Sequence, residues 1–259
     1  MTIVLVHGNP ETTAVWDPLV DALGRPDVVR LAPPGFGAPV PPGFAGTPQA
    51  YRDWLVAELE ALGGPVDLVG HDWGGAHVLG VATTRPDLLR SWCTDSIGMF
   101  EPGFAWHRLA RTWQTPGDGE TAVAALTDPD PDRRAAYLVW VGVPPAVAAA
   151  LAPGCAAVSG DAVLRLYRSA PPSVLADLGR VLPAARRRPG LVLLATADTA
   201  LGDAASRRRA AARAGAAVGV LPGLGHWWML EDPRLAADLL RRFWARRDGS
   251  ARAVPGTPA

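Results

Sequence analysis

Two hydrophobic patterns alternate along the first hundred residues. Short unbroken apolar runs, bounded by Gly or Pro, predict strands that are buried on both faces. Longer segments in which apolar residues recur every three or four positions predict helices. Their alternation predicts a parallel β-sheet covered by helices, an α/β fold. The predicted strands are Ile3–Val6, Val28–Leu31, Val66–Val69 and Leu89–Thr94, and the predicted helices are Thr13–Leu23, Pro48–Leu62 and Gly75–Thr84.

The alternation stops near Gly98. Residues 99–185 carry a helical pattern broken by Pro-rich loops, which predicts an inserted helical cap. Residues 1–98 and 186–248 then form the α/β core, and the Gly/Pro/Ser/Arg-rich stretch 249–259 predicts a disordered tail. In the second part of the core the predicted strands are Leu191–Thr196 and Val218–Leu221, and the helices are Ala204–Ala214 and Pro233–Arg246.

The charge balance changes this picture little. Among 259 residues, Lys+Arg and Asp+Glu both number 25, so no net field attracts nucleic acid or an anionic membrane. No apolar run has the length of a membrane span, and the N-terminus lacks a signal-peptide pattern, which predicts a cytoplasmic protein. The two cysteines, Cys93 and Cys155, are interpreted as buried thiols. The expected partner is a small-molecule substrate.

The segment Gly70-His71-Asp72-Trp73-Gly74 lies between a predicted strand and a predicted helix. This Gly-x-Asp-x-Gly spacing is typical of a nucleophile elbow, in which a tight turn pushes the central side chain out above the sheet. The sequence therefore predicts Asp72 as a nucleophile. The backbone N–H of Trp73 would point to the same place and stabilise an oxyanion.

Three further loops follow predicted strands at the same edge of the sheet. His7-Gly8-Asn9-Pro10 is expected to supply a second oxyanion donor, the N–H of Asn9, and its X-Pro bond is a candidate cis peptide. His226 is expected to be the general base, and Asp198 the acid that orients it. Asp95, which also ends a strand, is a rival for that acid. The remaining histidines are interpreted as structural or exposed: His7, His71, His77 and His107.

These motifs resemble a known superfamily, the α/β hydrolases, over nearly the full chain. The segments Gly70–Gly75 and Gly225-His226-Trp227 look like those of epoxide hydrolases, whereas His7–Pro10 together with Asp72-Trp73 also resembles haloalkane dehalogenases. The family usually has two strands before the His-Gly loop, and this chain begins at that loop's own strand. We therefore expect about six strands, and a sheet edge that a second copy of the chain could cover in a homodimer.

The resemblance implies that Asp72 attacks an sp³ carbon and forms an alkyl-enzyme ester, which His226 then hydrolyses with water. In epoxide hydrolases, cap tyrosines protonate the leaving oxygen, and Tyr167 is the candidate here, with Tyr137 a looser match. In dehalogenases a Trp indole and an Asn amide hold the halide, which would fit Trp73 and Asn9, and Trp113 could serve as a further donor.

The sequence thus favours an epoxide hydrolase for a small apolar epoxide, with a haloalkane or haloacid dehalogenase as the alternative. A non-hydrolytic biosynthetic enzyme or a ligand receptor on the same scaffold stays open, since fold alone does not fix function. The histidines have no spacing of metal ligands such as HExxH, and we expect neither a metal nor a cofactor.

Overall fold

The computed structural model describes residues 2–252. Its centre is a six-stranded sheet of order β2-β1-β3-β4-β5-β6, in which every neighbouring pair is parallel. The inner strands are apolar runs that are buried along nearly their whole length, as the sequence pattern requires. The strands are β1 (Ile3–Val6), β2 (Val28–Leu31), β3 (Val66–Gly70), β4 (Leu89–Thr94), β5 (Gly190–Ala195) and β6 (Ala217–Leu221). The predicted fold class and strand number are confirmed.

Helices connect the strands in the described part of the chain. Three precede the insert: α1 (Asp17–Leu23), α2 (Pro48–Ala61) and α3 (Trp73–Thr84). Six lie within it: α4 (Arg108–Gln114), α5 (Asp118–Leu126), α6 (Pro131–Trp140), α7 (Pro145–Cys155), α8 (Gly160–Ser169) and α9 (Pro172–Gly179). Three follow: α10 (Ala204–Ala214), α11 (Trp228–Glu231) and α12 (Pro233–Arg252). Short 3-10 turns occur at Thr13–Trp16, Pro86–Leu88, Ile97–Phe100 and Leu182–Arg187.

Four helix boundaries differ from the sequence prediction. Two differ by only one or two residues, since α2 ends at Ala61 rather than Leu62 and α3 begins at Trp73 rather than Gly75. The predicted helix Thr13–Leu23 is a 3-10 turn followed by α1, because Pro18 has no N–H to donate and is tolerated only in the first turn of a helix. Helix α12 extends to Arg252, past the predicted end at Arg246, since no proline interrupts that stretch. It therefore includes the first residues of the predicted tail, and residues 253–259 lie outside the described residues.

The topology gathers the candidate residues at one edge of the sheet. Parallel strands have their carboxyl ends on the same side, so the loops after β1, β3, β4, β5 and β6 meet there. Within residues 2–252 the regular elements between β4 and β5 are all helical, and an isolated β-bridge from Phe36 to Val158 joins the insert to the core. Over the same residues, no helix combines the length and apolarity needed to cross a bilayer.

Candidate active site

Asp72 sits at the tip of a tight turn between β3 and α3. Its backbone has φ 50° and ψ −124°, the sole non-glycine positive φ among the described residues. The turn depends on the flanking glycines. A Cβ on Gly70 would lie 2.5 Å from the carbonyl oxygen of Gly74, and one on Gly74 would lie 2.1 Å from that of Val6. The sequence therefore holds an acidic side chain in a conformation that costs of order 1–3 kcal/mol.

The loop after β1 passes directly against the Asp72 carboxylate. The backbone N–H of Asn9 donates to Asp72 Oδ2 at 3.1 Å, and the Asn9-Pro10 peptide is cis, as predicted. A Cβ on Gly8 would lie 2.4 Å from the Asp72 carboxylate, so only glycine allows this approach. Trp73 begins α3, and the first N–H groups of a helix lack partners within the helix. This geometry is suited to holding negative charge at Asp72.

His226 lies on the loop after β6 and pairs with Asp198, which follows β5. His226 Nδ1 is 3.1 Å from Asp198 Oδ2, and the carboxylate is buried. Burial alone would lower the pKa of His226, but the Asp198 carboxylate overcomes this and raises it. Burial likewise opposes ionisation of Asp198, yet His226 holds the pKa of that carboxyl well below its usual range. The pair can accept and hold a proton.

Arg207 of α10 fixes the Asp198 loop from behind. Its guanidinium is buried, donates to the carbonyl oxygens of Ala195, Gly202 and Asp198, and lies 3.9 Å from Asp198 Oδ2. Three backbone carbonyls and a carboxylate thus satisfy the cation.

A second buried charge cluster lies behind Asp72. His71 Nδ1 is 2.5 Å from Asp95 Oδ2, and His71 Nε2 is 3.0 Å from Glu11 Oε1. With a carboxylate on each nitrogen, the ring is best satisfied as an imidazolium that donates on both sides. Burial would lower the pKa of His71, but the two carboxylates raise it well above its usual value, and burial is likewise overcome at Glu11, where His71 lowers the pKa to about 2.

This cluster connects several loops of the site. Asp95 Oδ1 accepts the backbone N–H of Asp72 at 3.0 Å, and Asp95 Oδ2 accepts the Trp228 indole N–H at 2.7 Å. Glu11 accepts the N–H of Gly8 at 3.1 Å and the indole N–H of Trp227 at 2.7 Å. The Asp72 turn, the Asn9 loop and the His226 loop are thus held to one buried pair of carboxylates.

One group of residues has ligand atoms close enough together for a metal ion. Atoms of Glu11, His71 and His226 lie within 4.8 Å of one another. Both nitrogens of His71, however, are already engaged by carboxylates, and Asp198 engages His226. The arrangement therefore fits a hydrogen-bonded network better than a metal centre.

A cavity of about 320 Å³ lies above Asp72, between the core loops and the insert. Asp72, Asp198, His226 and Asn9 line it on the core side, and Trp113, Tyr167 and His107 on the insert side. Tyr167 of α8 is buried, and its ring packs against those of Trp73, Trp106 and Trp113 at 5.5, 5.2 and 4.7 Å between centroids. The cavity therefore combines an aromatic wall with a carboxylate and a histidine, which is typical of a small-molecule site.

Several donors in this region have no hydrogen-bond partner among the described residues. They are the Asn9 amide and the indole N–H groups of Trp73 and Trp113, all buried. Burial raises the pKa of Tyr167 well above its usual value, with the Asp72 charge adding to the effect and the nearby Asn9 and Trp73 opposing it. Its phenol is consequently protonated over the physiological range. Buried unpaired donors are costly, so a ligand atom is expected to receive them.

The structure brings most of the sequence-predicted residues together and leaves Tyr137 apart. Tyr137 lines a neighbouring cavity of the insert and not the one above Asp72. Asp95 contacts His71 rather than His226.

Sequence reasoning missed three residues near the site: Glu11, Arg207 and His107. His107 caps α4 by accepting the Ala110 N–H on Nδ1, so its proton is on Nε2, and burial lowers its pKa to about 4. The one signal that could have found Glu11 is an acidic residue two positions after the predicted oxyanion donor.

The chain matches the model of the alpha/beta hydrolase family over residues 3–239. It belongs to that family and is a hydrolase of the superfamily.

Two curated relatives match part of the chain. An (E)-2-((N-methylformamido)methylene)succinate hydrolase from Acinetobacter baylyi is 32% identical over 90 residues, 34% of each protein. An epoxide hydrolase from Caballeronia sordidicola is 32% identical over 94 residues, 34% of this chain and 29% of that protein. The matched segments thus span about a third of these relatives' lengths.

Solved structures resemble the chain over nearly its whole length. An E-2-(acetamidomethylene)succinate hydrolase superposes with a TM-score of 0.74 at 20% identity, covering 94% of this chain and 91% of that one. A loop variant of a haloalkane dehalogenase from Bradyrhizobium elkanii gives a TM-score of 0.65 at 22% identity, with 95% and 90% covered. At this identity the likeness establishes the fold.

Proposed function

We propose that the chain is an epoxide hydrolase that uses Asp72 as nucleophile and opens an apolar epoxide to a diol. The observation that carries the proposal is a protonated, buried phenol, Tyr167, next to a buried carboxylate in one aromatic cavity. An epoxide oxygen leaves as a strongly basic alkoxide and needs a proton donor, and a phenol that stays protonated supplies one.

In the first step an oxygen of Asp72 forms a bond to an epoxide carbon. The carbon–oxygen bond of the ring breaks, and the leaving oxygen takes the Tyr167 proton. The N–H of Asn9 binds Oδ2 of the carboxylate, so the other oxygen, Oδ1, is the proposed attacking atom. The product is an alkyl ester of Asp72 with a free hydroxyl on the neighbouring carbon.

In the second step His226 removes a proton from water, and the resulting hydroxide attacks the Asp72 carbonyl carbon. Asp198 stabilises the imidazolium that forms. The oxyanion is held by the N–H of Asn9 and, in our proposal, by that of Trp73. As this intermediate collapses, the bond between the Asp72 carbonyl carbon and the ester oxygen breaks, and the departing alkoxide takes the proton of the water-derived hydroxyl. This step frees the diol and restores the Asp72 carboxylate, and the proton gained by His226 balances the proton lost by Tyr167. No cofactor is needed for the cycle.

A haloalkane dehalogenase is the second candidate, and a separate observation favours it. The Asn9 amide and the Trp73 indole N–H are buried donors without partners beside Asp72. A halide is a weak base that needs hydrogen-bond donors and not a proton, and these two groups could bind it. Nothing in the epoxide cycle requires both to be unpaired, so the experiment must distinguish the two reactions.

The test is intact mass spectrometry of the His226→Ala variant after incubation with terminal epoxides and haloalkanes. Without its base the enzyme should form the ester and fail to hydrolyse it. An added mass equal to the whole epoxide supports the epoxide hydrolase, whereas a haloalkane minus HX supports the dehalogenase. The double variant Asp72→Asn/His226→Ala is the control and should gain no mass.

The absence of any adduct across the panel would contradict both candidates. Ligand binding without turnover would then favour a receptor, and a product that incorporates no water would favour a non-hydrolytic enzyme on this scaffold.

A further inference from the structure

A second cavity opens in the insert next to the one above Asp72. It has a volume of about 430 Å³ and lies between α4, α5 and α6. Leu109 and Val141 line both cavities, so these two side chains form the shared wall. We call the second cavity the outer chamber. Its other lining residues include Arg108, Ala122, Ala125, Tyr137 and Trp140.

The outer chamber carries an aromatic platform that is unusually open to solvent. The side chain of Trp140 is 70% exposed, the largest value among the exposed large hydrophobic residues described. The Arg108 guanidinium lies 5.5 Å above its ring, and the Tyr137 ring is 6.0 Å away. A large aromatic side chain that lines a cavity and stays this open to solvent is available for contact with a ligand.

Tyr137 adds a polar feature to this apolar surface. Its hydroxyl is buried and has no hydrogen-bond partner among the described residues. A buried hydroxyl without a partner costs free energy that a ligand oxygen would recover. The chamber thus offers an aromatic face, a hydroxyl donor and small alanines opposite them, which leave room for a ring.

We propose that the outer chamber binds the distal apolar arm, most favourably an aryl group, of an elongated substrate whose reactive end lies at Asp72. Leu109 and Val141 contact the chain that connects the two ends of the substrate, and they limit the length and width of chain that the enzyme accepts. This inference rests on the proposed function, because it assigns the substrate class of the same site. A substrate confined to the inner cavity would leave Trp140 and the Tyr137 hydroxyl without a role.

Two alanines of α5 provide a matched pair of variants. Ala125 lines the outer chamber and is half-buried, whereas Ala124 is exposed and does not line it. Ala125→Trp should fill the chamber, and Ala124→Trp places the same side chain on the same helix in solvent.

The experiment compares two terminal epoxides, propylene oxide and one that carries a phenyl ring at the end of a four-carbon chain. We expect the ratio of kcat/KM, phenyl-tipped over propylene oxide, to fall at least ~10-fold in Ala125→Trp and to be unchanged in Ala124→Trp. An equal ratio in both variants overturns the proposal. So does an equal loss on both substrates in Ala125→Trp, because propylene oxide has no distal arm and a chamber that binds only the arm cannot affect it.

Binding separates this inference from the proposed function. In the Asp72→Asn background, which should not turn over, the phenyl-tipped epoxide should bind more tightly than propylene oxide and should lose that advantage in Ala125→Trp. If binding follows this pattern but the wild-type enzyme does not convert the epoxide, the proposed epoxide hydrolase activity is rejected, and the assignment of the outer chamber as a binding site stands. A dimer in light scattering that dissociates in Ala125→Trp alone would instead identify the chamber as an interface between copies, and would overturn the proposal.

Discussion

Asp95 Oδ2 lies 2.5 Å from Nδ1 of His71, a histidine that does not line the cavity above Asp72. Asp198, at the end of the neighbouring strand, has the equivalent relationship with His226, which does line the cavity. Two carboxylates on adjacent strands therefore hold two different histidines. One pair is suited to moving a proton in the cavity, and the other is suited to fixing a buried positive charge behind Asp72.

The first prediction separates these two carboxylates. Asp198→Asn should slow hydrolysis of the Asp72 ester by about 10²- to 10⁴-fold, because His226 loses the anion that orients it and stabilises its protonated form. The ester itself should still form. The measurement is the lifetime of the mass adduct after excess substrate is removed.

Asp95→Asn is the matched variant with the opposite expectation. It leaves the buried His71 cation with one carboxylate, so the free energy of unfolding should fall by about 3–5 kcal/mol in urea denaturation. Ester hydrolysis in the folded fraction should persist. If Asp95→Asn instead arrests hydrolysis of the ester and Asp198→Asn does not, the acid that supports His226 is Asp95 and not Asp198.

Much of the fold follows from local patterns. The strands of the core are unbroken apolar runs, and their bounds agree with the sequence prediction to within a residue or two. The glycines around Asp72 predicted the turn because no side chain fits at Gly70 or Gly74. Where local features compete, the sequence was less informative. Pro18 divides the first helix, and the end of α12 depends on propensities too weak to set a boundary.

The site could be predicted only in part, because side chains distant in sequence decide it. Glu11 and His71 are 60 residues apart, and Trp227 reaches Glu11 across 216 residues. No periodicity encodes such contacts. Arg207 begins a run of three arginines, a pattern typical of a solvated face, yet its side chain is buried against three carbonyl oxygens. The position of Tyr137 could not be predicted from the sequence either, because it depends on how α6 packs within the insert.

The second prediction concerns the backbone strain at Asp72. Glycine adopts a positive φ freely, so Asp72→Gly should abolish adduct formation and raise the free energy of unfolding by about 1 kcal/mol. The removal of a buried carboxylate acts in the same direction. The control is Ala57→Gly on the exposed face of α2, which should lower stability by about 1 kcal/mol. A less stable Asp72→Gly protein would show that the turn is not strained.

The third prediction distinguishes proton donation from halide binding. Tyr167→Phe should slow adduct formation with epoxides by about 10²- to 10⁴-fold and leave any haloalkane reaction unchanged, because only the alkoxide needs the proton. Asn9→Ala keeps the backbone N–H that binds Asp72 and removes the unpaired amide. It should weaken a haloalkane reaction more than an epoxide reaction. Equal effects of both variants on both substrates would contradict separate roles.

The last prediction is a pH dependence that differs between the two chemical steps. Burial raises the pKa of Asp72, although His226 and His71 oppose it. Attack needs the carboxylate, so ester formation should be lost as the pH falls through this raised value. Hydrolysis needs neutral His226. Burial lowers the pKa of His226, but Asp198 overcomes this and raises it, so hydrolysis should be lost as the pH falls through that raised value. If hydrolysis is lost at a higher pH than attack, the ester accumulates between the two values.

The pH at which ester hydrolysis is lost should be lower than the pKa of His226 in the free enzyme. Asp72 is one of the charges that raise that pKa, and the ester has lost its charge. We expect no loss of ester formation on the alkaline side of neutrality. Burial raises the pKa of Tyr167 well above its usual value, so its phenol stays protonated there. Rapid quenching of the wild-type enzyme across a pH series, followed by intact mass spectrometry, measures the fraction present as ester. Accumulation that increases toward alkaline pH would mean that a group other than His226 limits hydrolysis.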